Sequence, residues 1–523
     1  MIRPFTRAAA ALVAIVSLGA CNDNKFLTEV PYDFVGPQNF YRNAGDALAA
    51  VNGVYASFIN TSGDNYYGRN FVMLVEYPTE MVTTYLSATN ERSLVDNYTF
   101  TPAQSYIYST WQSAYAAINR ANAVIAHVPT IDMDATLRSR IVGEAKFLRA
   151  TNYFNLVRLF GGVPLELEET TSLDSLQKPR ATAAEVYAQI IKDLTEAVAV
   201  LPSKKSYTGS DIGRASKGAA KTLLAKVYLQ RGGTGVGTAA DYQTALDWAR
   251  QVVSDGDYSL IGNYDALFDF VSGAVQEVNS EVIFDIQNIR QQGLGGRIGS
   301  HMVPRKSSWG ASQNGSFEAE QPFYDSYGAT DKRKAAIFVQ SFPDKSGNTV
   351  QWTSTATASG AYGADSPYLK KFLDPTLVTT GQEEPNYIML RYAEVLLMIA
   401  EAANEVNGGP TQEAYDAINA VRARSSVPAL TPGLSHDLFR DSVFVERRWE
   451  LVMEGPNGYF DSQRNWPWAK ARVEANMALG AAGKFKLSKY PKAQVTLSDK
   501  FKLMPIPQRA RDLNPNLTQN PGW

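Results

Sequence analysis

Apolar positions recur at i, i+3, i+4 and i+7 along much of the chain, the spacing that turns one face of a helix toward a core. Tyr187, Ile190, Ile191, Leu194, Val198 and Leu201 form one such stripe, which Pro202 stops. Ala220, Leu223, Leu224, Val227 and Tyr228 form a second, ended by Gly232-Gly233. Ala393, Leu396, Leu397 and Ala400 make a third, closed at Gly408-Gly409-Pro410, and Ala414, Ala417, Ile418 and Val421 follow at once as a fourth. Short helices joined by Gly/Pro turns predict an array of helical hairpins.

The array repeats itself. Gly143-Glu-Ala-Lys-Phe-Leu-Arg-Ala150 aligns with Gly218-Ala-Ala-Lys-Thr-Leu-Leu-Ala225, and Tyr153 then matches Tyr228 at the same offset. Small Gly and Ala at fixed spacing let two helices approach closely, and the following tyrosine is expected to fill the gap between hairpins. This is the logic of tetratricopeptide-type repeats, with irregular spacing between units. The expected fold is mainly α: a tetratricopeptide-like helical-hairpin solenoid over about 100–284 and 385–460, with helices at 104–128, 134–160, 180–201, 215–254 and 385–425.

Between 285 and 385 the helical stripes vanish, Gly, Ser, Thr, Asn and Gln dominate, and Trp309, Trp352, Tyr362 and Tyr368 punctuate the stretch. A similar polar, aromatic patch occupies 60–98, with Tyr66, Tyr67, Tyr77 and Tyr85. Long connections of this kind carry function, and their rings argue against disorder. The proline-rich end, 500–523, predicts an extended strap along the surface.

Residues 1–20 stand apart from this pattern. Arg3 and Arg7 open a short basic start, and Ala8 to Ala20 is an apolar run too short to span a bilayer, so the segment reads as a signal peptide. It ends in Leu18-Gly19-Ala20-Cys21, which resembles a bacterial lipoprotein signal, and Cys21 is the only cysteine. Cys21 is therefore the expected lipid-attachment site, with two or more acyl chains giving a stable anchor. The mature chain would run over 21–523, tethered to a membrane by its N-terminus.

Composition narrows the chemistry further. Fifty basic against 52 acidic residues give a net charge of −2, which leaves no bulk field for nucleic acid. One cysteine and three dispersed histidines (His127, His301, His436) argue against a Cys-cluster zinc site or a His-rich metal site and leave a structural calcium open; no cofactor is expected. Aromatic residues reach 11%, which makes flat apolar rings the resource to explain.

Three stretches carry a family resemblance. Phe147-Leu-Arg-Ala-Thr-Asn-Tyr-Phe-Asn-Leu-Val-Arg-Leu-Phe-Gly-Gly-Val-Pro-Leu165 resembles the helix-to-turn hallmark of the SusD/RagB family. Glu446-Arg-Arg-Trp-Glu-Leu451 through Gly458-Tyr-Phe-Asp461 resembles its second signature. Leu503-Met-Pro-Ile-Pro-Gln508 with Asn514-Pro-Asn-Leu-Thr-Gln-Asn-Pro-Gly-Trp523 resembles its ending. The resemblance implies an outer-membrane lipoprotein facing the cell exterior, the lid of a SusC-like TonB-dependent transporter, which captures a nutrient and passes it on. That nutrient is most often a glycan; related lids take peptides. The charges of the second signature (Glu446, Arg447, Arg448, Glu450) read as architectural, with partners on other helices, because Glu446 and Glu450 are alike in sign.

A glycan site needs rings that cover the C–H faces of sugars and polar side chains that pair with hydroxyls. Trp309, within Ser307-Ser-Trp-Gly-Ala-Ser-Gln-Asn314, has that texture, as do Tyr66 and Tyr67 between Asn65 and Arg69; Trp352 and Tyr362 are further candidates. Trp466 and Trp468 are expected to pack the C-terminal region. No catalytic residue is expected. A glycosidase would draw its carboxylates from Asp325, Asp331, Glu383 and Glu384, and a ligand-free scaffold would need no site.

Overall fold

A computed structural model describes residues 40–59, 66–84, 86, 89–172, 176–269, 279–290, 295–310, 312–351, 367–377, 383–482 and 495–523. Its long helices, among these residues, are α1 (Ala44–Tyr55), α2 (Ser105–His127), α3 (Ala135–Phe160), α4 (Ala183–Val200), α5 (Lys217–Gly233), α6 (Ala240–Ser254), α7 (Tyr392–Asn407), α8 (Gln412–Arg424), α9 (His436–Leu451) and α10 (Trp466–Ala481). Their starts are set by side-chain caps: Asp134 Oδ1 accepts from Leu137 N–H, Ser216 and Thr411 do the same three residues on, and Thr182 with Glu185 closes a capping box. Gly408 ends α7 in the left-handed region (φ 63°).

The helices pack in chain order, α1 on α2, α2 on α3, and so on through α6, which packs on α7, α7 on α8, with α9 against α7. This is the mainly α hairpin array that the stripes predict. The repeated glycines explain the close approach: a Cβ on Gly143 would sit 2.5 Å from Val200 Cγ2, and one on Gly218 would sit 2.5 Å from the Tyr258 ring. The two matched tyrosines differ in role. Tyr153 is fully buried and its hydroxyl donates to Glu166 O, whereas Tyr228 is half-buried under the Arg231 guanidinium.

The jump from α6 to α7 holds the loop-rich region. With β1 (Val82–Thr83) from the 66–98 segment, the strands are β2 (Val282–Ile286), β3 (Glu318–Ala319), β4 (Ser341–Pro343), β5 (Thr349–Gln351) and β6 (Tyr387–Arg391). β2 pairs antiparallel with β6, so the two ends of the 285–385 stretch leave the scaffold side by side. β1 pairs with β3, which ties the 66–98 segment to the same region.

Two expectations need correcting. The 60–98 patch contains a fully buried helix, Asn70–Glu76, and a second short one, Glu91–Asp96. The C-terminal strap is inlaid rather than laid on the surface. Met504 N–H donates to Leu159 O, Asn520 Nδ2 to Phe160 O, and Met504, Ile506, Leu517 and Asn520 are buried, with a helical turn at Gln508–Leu513 between them. Trp466 is buried and donates to Asp499, while Trp468 is half-buried between the Arg448 and Arg472 guanidiniums.

The charges of α9 are architectural, as their alternation suggests. Arg333 reaches both Glu446 (2.6 Å) and Glu450 (2.9 Å), bridging the like-charged pair. Arg391 and Arg424 also meet Glu450, Arg447 meets Asp461 (2.7 Å) and Glu394 (3.1 Å), and Arg448 meets Glu80. All of these side chains are buried, and they join α9 to α7, to β6 and to the loop-rich region.

Candidate functional site

The loop-rich region is knitted across its two segments. Arg297 N–H donates to Gly68 O (3.1 Å), Tyr77 hydroxyl to Ser316 O (3.0 Å), and Arg92 Nη1 to Ser316 Oγ (2.7 Å). His301 lies beneath, its Nδ1 3.0 Å from Ser316 Oγ. Burial first, then the Arg92, Arg69 and Arg297 guanidiniums, hold this imidazole well below its usual range, so it is neutral. Glu383 braces the short helix Ile298–Met302 by accepting from Gly299 and Ser300 N–H at 2.7 and 2.8 Å. Burial pushes its carboxyl up to about 8.

Trp309 stands at the rim of this body. Its N–H donates to Ser307 Oγ (2.8 Å), and Ser308 N–H to Pro343 O (2.8 Å), so the turn is pinned to β4. Gly310 supplies the positive φ (63°) that the turn requires. The Gln313 side-chain amide donates back to Gly310 O (2.8 Å) and Trp309 O (3.3 Å) and closes the loop. The indole packs against the core, 6.3 Å from the Phe342 ring, and stays half-buried. Ser308, Gln313, Asn314 and Arg305 lie next to it in sequence, none of them buried. A braced, partly exposed ring, with hydroxyl, amide and guanidinium groups next to it in sequence, can cover the apolar face of a sugar and pair with its hydroxyls.

Tyr66 and Tyr67 are elsewhere. Both are fully buried with Phe58 and Phe71, ring centroids 4.8 to 5.8 Å apart. The Tyr66 hydroxyl donates to Asn152 Oδ1 (2.7 Å), and Asn155 Nδ2 donates to both tyrosine oxygens, at 2.9 and 2.6 Å. The expectation that these two rings meet ligand is therefore corrected: they join the 66–98 segment to α3. Trp352, Tyr362 and Cys21 lie outside the described residues.

Of the carboxylates a glycosidase would use, Asp331 is engaged by Arg333, Glu384 by Arg290 (3.2 Å), and Glu383 by the backbone donors above. Among the described residues no cluster of three His, Cys, Asp or Glu side chains is placed to hold a metal ion, and no helix is long and apolar enough to cross a membrane. The sequence reading passed over the face of α2 that carries Tyr108, Trp111 and Tyr115. Their i, i+3, i+7 spacing was the available signal, and they wall a groove of about 830 Å³ against the C-terminal strap.

Comparison with known proteins agrees with this architecture. A family model described as the SusD family matches residues 280–523, and one described as starch-binding associating with outer membrane matches 45–229. SusD-like protein P2 of Formosa agariphila is 28% identical over 470 residues, covering 86% of this chain and 88% of that relative. The crystal structure of a SusD homologue from Bacteroides thetaiotaomicron superposes with a TM-score of 0.83 at 27% identity, covering 93% of this chain and 98% of the other. Surface glycan-binding protein A of the same organism, in complex with laminarihexaose, shares the fold with a TM-score of 0.71 at 21% identity, covering 91% and 99%. With both halves matched and the fold shared end to end, the chain belongs to the SusD/RagB family.

Proposed function

We propose that this protein captures a glycan on its loop-rich face and passes it to a TonB-dependent, SusC-like transporter as that transporter's lid, held to the outer membrane by a lipid on Cys21 and facing the cell exterior. The observation that carries the binding role is Trp309: a half-buried indole on a turn braced by Ser307, Gly310 and Gln313, next in sequence to side chains that pair with hydroxyls. The laminarihexaose-bound protein of the same fold and the outer-membrane description of one matching family support the reading. The role is one of binding and hand-over, without bond cleavage. Trp352 and Tyr362 remain proposed ligand rings on the same stretch of sequence.

The test is calorimetric titration of residues 22–523 with laminari- and malto-oligosaccharides and with oligopeptides, the recovered ligand being checked by chromatography. An intact oligosaccharide should bind, and Trp309→Ala should weaken it about 10- to 100-fold, about 1.4 to 2.8 kcal/mol, with the thermal midpoint unchanged. A cleaved ligand would replace capture with catalysis; peptide binding alone would change the nutrient. The anchor has its own test. Cys21→Ala should move the protein from the membrane pellet to the soluble fraction, and retention in the pellet would contradict the lipid anchor.

A further inference from the structure

Arg158, near the end of α3, is a buried charge with no counter-charge of its own. It is 4% exposed. The Phe154 and Phe460 rings sandwich it, each centred 3.9 Å from Cζ. Around its edge, Nε donates to Phe154 O (3.2 Å) and Nη2 to Asn155 Oδ1 (2.8 Å). Among the described residues no carboxylate pairs with it, and nothing accepts from Nη1. Packing does not seal Nη1 either: Arg158 lines a cavity between α3, α5 and the β2–β6 ribbon, and Nη1 opens on it.

The neighbouring charges already answer one another. Lys226 pairs with Glu394 (2.8 Å), Arg447 with Glu394 (3.1 Å) and Asp461 (2.7 Å), and Arg464 with Asp461 (2.8 Å) and Glu401 (2.8 Å). Three bases meet three acids, with no side chain among them more than 6% exposed, and Arg158 is the base in excess. A buried charge in that position is costly unless an ion of opposite sign meets it. The cavity offers donors for such an ion. The Thr151 hydroxyl and the Asn155 amide that line it already donate to Phe147 O and to the Tyr66 and Tyr67 hydroxyls. The protons that remain belong to Arg158 Nη1 and to Lys226 Nζ, whose other bonds go to Glu394 and Gly455 O (3.0 Å). The other walls are apolar and include Leu223 and Phe284. The space leaves about 10 Å³ for the centre of a small sphere to move in, room for one water or one halide and too little for sulfate, phosphate or a carboxylate.

We propose that this cavity binds one chloride ion, held by Arg158 Nη1 and Lys226 Nζ. A water molecule would accept the same protons but leave the charge; a halide brings the buried cluster to neutrality and loses its own water more readily than an oxyanion does. The ion sits where α3 and α5 meet the two strands that frame the loop-rich region, so it fastens the scaffold to the base of that region. Binding depends on neither glycan nor lipid, and it stands or falls separately from the functional reading.

The test is anomalous diffraction from the protein purified and crystallised with bromide as the only added halide. A peak at the bromine edge, or a long-wavelength peak from retained chloride, should lie at hydrogen-bond distance from Arg158 Nη1. Thermal unfolding gives a second readout. At constant ionic strength, replacing gluconate by chloride should raise the midpoint by about 1 °C for each tenfold of chloride above its dissociation constant. In Arg158→Met, whose side chain keeps the place between the two rings, that increment should vanish. In Lys146→Met, which removes an outer cation paired with Glu196, it should persist. If Arg158→Met does not fold, the diffraction result decides alone. Ordered water at Nη1 without an anomalous peak would overturn the proposal. So would a midpoint that responds alike to chloride and gluconate, or a chloride increment that survives Arg158→Met.

Discussion

Glu450→Leu is expected to destabilise the fold by about 3–5 kcal/mol, read as a lowered urea midpoint at pH 7. Glu450 takes ion pairs from Arg333 (2.9 Å), Arg391 (2.5 Å) and Arg424, all of them buried. Leucine fits the volume but leaves three guanidiniums short of one counter-charge in a site with no access to water. Glu281, Glu446, Glu454 and Asp331 still face them, which keeps the loss from being larger. The network also fixes an acid limit. Burial alone would raise the Glu450 carboxyl, yet Arg424, Arg391 and Arg333 together hold it well below the ordinary range, and Arg447 and Arg464 do the same to Asp461. A depressed carboxylate stabilises the fold above its unfolded pKa, about 4.3 for Glu, and that stabilisation is lost as pH falls toward the folded value. Stability should drop steeply below about pH 4, and Glu450→Leu should flatten part of that drop.

Two buried carboxyls act in the opposite sense. Burial pushes Glu76 and Glu383 up to about 8, so the folded chain keeps protons that the unfolded chain releases near 4.3. Their contribution is whole in acid and declines as pH rises toward 8. Maximal stability therefore belongs between these limits, in the mildly acidic range.

How much of this is legible in the sequence depends on the range of each interaction. Helices α4, α5, α7 and α8 are read from their stripes because local spacing determines them, and α3 is read from its repeat with α5. α10, Trp-Pro-Trp-Ala-Lys-Ala-Arg-Val-Glu-Ala-Asn-Met-Ala-Leu-Gly-Ala, escapes because its apolar residues are spread around the helix. β2 and β6 escape because five-residue runs buried on both faces have no alternation to detect. The architectural character of the α9 charges is legible from Glu446 and Glu450 alone, but their partner Arg333 lies 113 residues upstream of Glu446, and no spacing rule reaches it. In the site, the texture around Trp309 is visible as a string of small polar residues. The brace from Gln313 is a matter of turn geometry, which composition does not encode.

Tyr66 shows where the same reasoning fails, and its replacement is the sharpest contrast with Trp309. Tyr66→Ala should cost about 3–5 kcal/mol, as truncation of a large buried ring does, and Tyr66→Phe about 1–3 kcal/mol, because the Asn152 oxygen loses its donor. In thermal unfolding both should lower the midpoint, while the glycan affinity of the folded protein stays within twofold of the parent. Trp309→Ala should do the reverse. The reason lies in α3, whose family hallmark residues are the far ends of these contacts. Asn155 donates to Tyr66 and Tyr67, and its own oxygen accepts from Arg158, whose guanidinium is sandwiched 3.9 Å from both the Phe154 and Phe460 rings. Burial lowers Arg158 to about 10, still protonated at neutral pH, so it remains a donor to that oxygen. Two tyrosines set between Asn65 and Arg69 look like ligand rings until the asparagines 86 to 89 positions away are found to hold their hydroxyls. A polar neighbourhood in sequence marks a binding ring only when the partners of its polar atom are not already supplied by the scaffold.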